Sequence, residues 1–136
     1  MGSAVLVSRE CFERVGAYDE GLLVYYEEVD FCLRARRLGY RPRIDPAAVV
    51  LHDGMRGFAS GLTPYAGRLK SRNLIRLMRK HGSPMDWAAF VPSYLALLLS
   101  SSLLYVVRGR AEVAHSMWTG LRDGWRSSDE PAARSW

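Results

Sequence analysis

The sequence predicts an α/β fold. Two short apolar runs, residues 4–7 and 47–51, and the segment 40–44 before the Asp45-Pro46 turn read as strands. Between and after them lie stretches whose apolar residues recur at helical spacing, most of them opened by a capping residue and closed by glycine. The C-terminal half is read as helix only, and its residues 87–107 pass without a charge.

At 136 residues and a net charge of +5, the chain is one domain or part of one. The apolar run 4–7 reads as a buried strand at the very start, yet few pairing candidates follow, so a missing N-terminal portion is expected. Ser8 caps a short helix through Arg14, which Gly16 ends, and Cys11, Phe12 and Val15 make its apolar side. A turn-rich loop, 16–21, leads to Leu22-Leu23-Val24 and then to a helix over 27–38 that stops at Gly39. After the strand at 40–44, Asp45-Pro46 turns the chain, and the strand at 47–51 delivers His52 into a glycine-rich loop. Thr63-Pro64 starts the next helix, running to His81 with Gly82 as its stop. Its wheel separates Leu74, Ile75, Leu77 and Met78 from Arg68, Arg72, Arg76, Arg79 and Lys80. The uncharged stretch 87–107 is long enough to cross or lie on a bilayer, or to be a buried helix of a larger protein. Residues 112–125 form a last amphipathic helix with Val113, Met117, Trp118 and Leu121 on one side, and 127–136 is a polar tail read as disordered.

The chemistry concentrates where the 27–38 helix begins. Stepping 100° per residue puts Glu27, Asp30, Arg34 and Arg37 on one polar arc, with Asp30 and Arg34 at salt-bridge spacing. Glu28 leaves that arc and projects between Ala35 and Cys32, toward packed surface. The positive end of a helix favours both glutamates, and partial burial would raise the proton affinity of Glu28, which suits a general base. The plainer reading, solvated first-turn acids, stays open. His52 likewise reads either as a hydrogen-bonded structural residue or as a ligand.

Composition narrows the classes. Two cysteines, Cys11 and Cys32, both in predicted helices, fit reduced thiols, and no secretory signal opens the chain. No glycine-rich phosphate loop, metal-binding cysteine set or nucleophile elbow occurs. The basic helix 64–81 suits anionic lipid headgroups or a diphosphate, or is simply a solvated face; without a recognised module it does not point to nucleic acid.

Gly16-Ala17-Tyr18-Asp19-Glu20, Leu22, Tyr25, Glu27-Glu28-Val29-Asp30, Arg34, Gly39-Tyr40, Leu51-His52 and Arg72-Asn73 follow one another in an order and spacing that resembles family 2 glycosyltransferases. The likeness is to the C-terminal half of the rhamnosyltransferase-like and galactofuranosyltransferase-like members of the GT-A (Rossmann-like) fold, over residues 1–82. It implies that Glu27-Glu28 is the acidic pair, with Glu28 the base that takes the acceptor's proton; the family usually has Asp there. It implies Asp19, Glu20, Asp30 and Arg34 on the acceptor side, and His52 as ligand to a divalent metal, Mn2+ or Mg2+, on the nucleotide diphosphate. The family's Asp-x-Asp and nucleotide-binding units are not found before Glu27, so the chain reads as a truncated, acceptor-side part, inactive alone.

The expectation is therefore a metal-dependent, inverting hexosyl transfer from a nucleotide-sugar to a polysaccharide or lipid-linked acceptor in cell-wall or polysaccharide biosynthesis. It would act at the cytoplasmic face of a bacterial membrane or in the cytoplasm. Residues 1–82 make the acceptor-side part, 83–126 the hydrophobic and amphipathic helices, and 127–136 the tail. The rival is a non-catalytic membrane-surface protein working through the basic helix and the uncharged stretch.

Overall fold

A computed structural model describes residues 4–51 and 63–126. It is helical: α1 is Arg9–Val15, α2 Glu27–Arg37, α3 Pro64–His81, α4 Pro84–Val107 and α5 Ala111–Arg126, with a single 3-10 turn at Glu20–Leu22. The starts of α1 and α3 follow the caps read from sequence, and α4 opens earlier than the uncharged stretch, at Pro84. Ser8 accepts from the Cys11 amide, Thr63 from the Ala66 amide, and Ser83 and Asp86 close a reciprocal capping box.

The α/β expectation is overturned. Among the described residues there is no strand, so neither a sheet nor a Rossmann-like GT-A layer is present. Residues 4–7, 40–44 and 48–51 carry no regular secondary structure, with Leu6, Ile44, Val49 and Leu51 more than four-fifths exposed. Apolar alternation marks a segment that suits a sheet; a strand exists only when a second segment takes its amide and carbonyl groups, and none does so here. Of that region, the Asp45-Pro46 turn keeps its predicted form, as Asp45 accepts from the amide of Ala47.

Two packed units carry the fold. In the first, Cys11, Phe31 and Ala35 form a small core between α1 and α2, flanked by Val7, Val15 and Tyr40. Gly39 adopts φ +88°, where side chains are strained, and turns Tyr40 back onto α1. There the Tyr40 hydroxyl donates to Glu10 at 3.0 Å. In the second unit, α3 lies closely on α5, and α4 packs more sparsely beside α5. The α3–α5 approach needs small side chains: a Cβ on Gly120 would run into the carbonyl of Arg68, and one on Gly124 would sit 2.7 Å from the carbonyl of Arg72. Ile75, Val113 and Leu98 are fully buried or nearly so in this unit.

Candidate functional site

The two units meet at the loop that feeds α2, and this loop is strained. Leu23, Tyr25 and Tyr26 all have positive φ, at 59°, 70° and 71°. Leu23, with ψ −75°, is the centre of a γ-turn of the rare positive-φ kind, closed by the Val24 amide donating to the Leu22 carbonyl at 2.7 Å. Each such residue costs about 1–3 kcal/mol and persists only where surroundings over-determine it.

α3 supplies those surroundings. Asn73, fully buried, donates through Nδ2 to the carbonyls of Leu22, Val24 and Tyr25 at 2.6, 2.8 and 3.0 Å. Its Oδ1 accepts from Arg72 Nε at 2.9 Å, and Arg72 Nη2 donates to the Gly21 carbonyl at 2.8 Å. The Arg72-Asn73 pair, noted in sequence only by resemblance, is thus the clamp on the loop.

Asp30 forms the second tie. It is not on a solvated arc, as the wheel suggested, but fully buried. Arg34 Nε donates to its Oδ2 at 2.8 Å, while Lys80 Nζ and His81 Nε2 donate to Oδ1 at 2.7 and 2.8 Å. Burial alone would raise its pKa; hydrogen bonds from Lys80, His81 and Arg34 outweigh it and hold the carboxyl below its ordinary value. An ionised carboxylate only accepts, so His81 must carry its proton on Nε2; Nδ1 is buried without a hydrogen bond. Lys80 also reaches Asp19 Oδ2 at 2.9 Å. Asp19 is pulled down likewise: burial opposes, but Lys80 and the Gly21 amide prevail. Arg34 continues outward, donating to the carbonyls of Val15 and Ala17 at 2.6 and 2.7 Å, which locks the end of α1 to α2.

The sequence-derived candidates therefore separate. Asp19, Asp30 and Arg34 come together in one network, completed by Lys80, which the helical wheel places on the basic face, and His81, the last residue of the helix. Glu20 is exposed in the 3-10 turn. Glu27 and Glu28 open α2 from the strained loop and are both half-buried. One oxygen of Glu27, Oε2, is buried without a hydrogen bond. Glu28 borders a groove of about 860 Å³, shared with Cys32, Leu33, Arg36, Tyr40 and Arg41. Burial, then Tyr94 and the Glu28 charge, push the Tyr26 phenol up; burial, then Glu28, does the same to the Cys32 thiol. His52 lies outside the described residues.

A divalent metal does not find its ligands among the described residues: no three carboxylate, histidine or cysteine side chains converge. The unpaired Glu27 oxygen suits a hard cation but supplies one ligand where such an ion takes six or more. The cations of α3 are largely used internally, Arg68 on Asp123, Arg72 on the loop, Arg79 on the carbonyls ending α5 and Lys80 on two aspartates.

A stretch of 36 residues, 26% of this chain, is 47% identical to a low-salt glycan biosynthesis hexosyltransferase, Agl10, of Haloferax volcanii. The match covers 12% of that relative's length. No family model and no solved structure matches the chain. The chain thus shares a segment with a glycosyltransferase.

Proposed function

We propose that this chain is the acceptor-activating part of a glycosyltransferase, of the inverting, family 2 type, moving a hexosyl group from a nucleotide-sugar to a glycan or lipid-linked hydroxyl. One observation carries the reading: three left-handed residues in a row of four, held by a buried asparagine, present Glu27 and Glu28 at the mouth of a helix beside a groove. Strain this concentrated is kept where a side chain must be aimed. The shared segment with a hexosyltransferase supports the same class.

In this reading Glu28 is the general base. It takes the proton of the acceptor hydroxyl while that oxygen bonds to the anomeric carbon from the face opposite the leaving group. The bond from the anomeric carbon to the diphosphate breaks, the nucleoside diphosphate leaves with the electron pair, and configuration inverts. Glu27, one residue earlier, is the other member of the acidic pair at the helix mouth. The Asp19–Lys80–Asp30 network and Arg34 fix α2 relative to α3, so their role is to position Glu28. Metal dependence, with His52 as this chain's ligand, belongs to the proposal without a step of its own.

The test is Glu28→Gln in the polypeptide that carries this segment, with radiolabelled nucleotide-hexoses and a glycan acceptor. Transfer is expected to fall at least about 100-fold, the usual contribution of a general base, while donor binding and helix content hold. Unchanged turnover removes Glu28 from the mechanism.

A further inference from the structure

The C-terminal unit presents a surface that the transfer chemistry leaves unused. α4 meets its neighbour along one seam. Trp87 stacks on Trp125 with ring centroids 5.3 Å apart, Leu98 is fully buried, and Trp118 Nε1 donates to Ser102 Oγ at 3.0 Å. Around the remainder of the helix, Met85, Leu97, Leu99, Leu103, Val106 and Val107 are each more than half exposed. No charge interrupts α4 between Asp86 and Arg108. Only 6% of its most apolar 18-residue window is buried, at a mean hydropathy of 1.8. A face this long and apolar is not left to water.

Three features choose lipid as what covers it. Ser93 and Ser100, on exposed positions of the helix, return their hydroxyls to its own carbonyls, of Ala89 at 2.8 Å and Leu97 at 3.1 Å. Their polar hydrogens are therefore satisfied without water. Trp118 and Trp125 of α5 edge the apolar face, 38% and 54% exposed, as interfacial tryptophans do. Arg108 and Arg110 follow α4 directly, where cations meet anionic headgroups.

The neighbours decide how the helix sits. α5 runs antiparallel to α4, as the Trp87–Trp125 and Ser102–Trp118 contacts require, and α3 is closed on α5 across glycines. A spanning α4 would draw Glu112, Arg122, Asp123 and the Arg68 bridge with it. Charges carried to bilayer depth are costly. Lying flat buries the side of Leu99, Leu103 and Val107 with none of that cost.

We propose that α4 lies in the plane of a lipid bilayer surface, with the side of Leu99, Leu103 and Val107 among the acyl chains and the α3–α5 pair on the aqueous side. The inference is independent of the transfer chemistry, since binding is read without any sugar donor. The experiment mixes the chain with sealed vesicles of phosphatidylcholine and phosphatidylglycerol and separates them by flotation. The wild-type chain is expected to float. Leu99→Glu with Leu103→Glu should lower partitioning at least about 100-fold, the loss of two apolar insertions, with unchanged helix content. Single fluorophores at Met85→Cys and Val107→Cys, on a background with Cys11→Ser and Cys32→Ser, read the orientation. Both should lie at the same shallow depth and be quenched by an impermeant quencher added outside. Protection of one end means the helix spans, and overturns the proposal. So does flotation that survives the double glutamate variant. A chain that fails to float also overturns it, and a dimer dissolved by the double variant then assigns the face to a second copy.

Discussion

Leu23 shows what the site asks of single residues. Its side chain is 68% exposed, so it gains little by packing, yet its backbone sits at φ 59° and ψ −75°. The bonds from Asn73 to its neighbours' carbonyls, with the γ-turn bond and Arg72 on the Gly21 carbonyl, hold this conformation. Leu23→Gly should therefore raise stability by up to about 1 kcal/mol, relief of strain less the glycine entropy, read as the shift of a urea midpoint. A clear loss would mean that Leu23 is held by packing after all. The partial burial of Glu28 was legible, because helical periodicity alone turns it from the solvated arc. Asp30 was not: the wheel put it with Arg34 on the polar face, and the Arg34 contact is there. What buries it, His81, lies 51 residues along the chain, beyond any local pattern.

Among the elements, α1 and α3 were visible through their caps, because Ser8, Thr63-Pro64, Gly16 and Gly82 act within a few residues of themselves; α2, α4 and α5 were visible through helical spacing and the uncharged stretch. The strands failed for the opposite reason: residues 4–7 and 47–51 have the right composition, but pairing is a property of two segments, and Pro42 weakens 40–44 as a strand from the start. The pairing of α3 with α5 is likewise non-local, though its signature was in the sequence as Ser116, Gly120 and Gly124 at every fourth position of α5. These let the backbones approach, and Arg79 then donates to the carbonyl of Gly124 at 3.0 Å, tying off the end of α5. Gly120→Ala puts a methyl group into the carbonyl of Arg68, which is backbone and has no rotamer to give. Overpacking of this kind typically costs about 1–3 kcal/mol despite alanine's better helix propensity. Thermal unfolding should show it, whereas an unchanged midpoint would mean that the two helices slide apart without loss.

For the whole molecule, the decisive contrast is between an apolar unit, α3 with α5, and a small unit, α1 with α2, joined to it largely by polar contacts. The joint is Asn73 on the loop, and Lys80 and His81 on Asp30. Asp30 has a folded pKa below its ordinary value, so its contribution to stability is complete above the unfolded value of about 3.9 and is lost as pH falls through the folded one. Acid should therefore release α2 before α3 and α5 open, and hydrogen exchange measured near pH 3 should show α2 amides losing protection first. Asp30→Asn removes the charge at neutral pH and leaves two cations without it. Breaking a buried pair costs about 3–5 kcal/mol, and the lower end applies here. Lys80 keeps Asp19, and Arg34 keeps the carbonyls of Val15 and Ala17. The variant should lose the acid-dependent step below about pH 4, since no carboxylate remains at this position to be protonated. A variant with the wild-type acid profile would place the pH-sensitive joint elsewhere, on Asp19 alone.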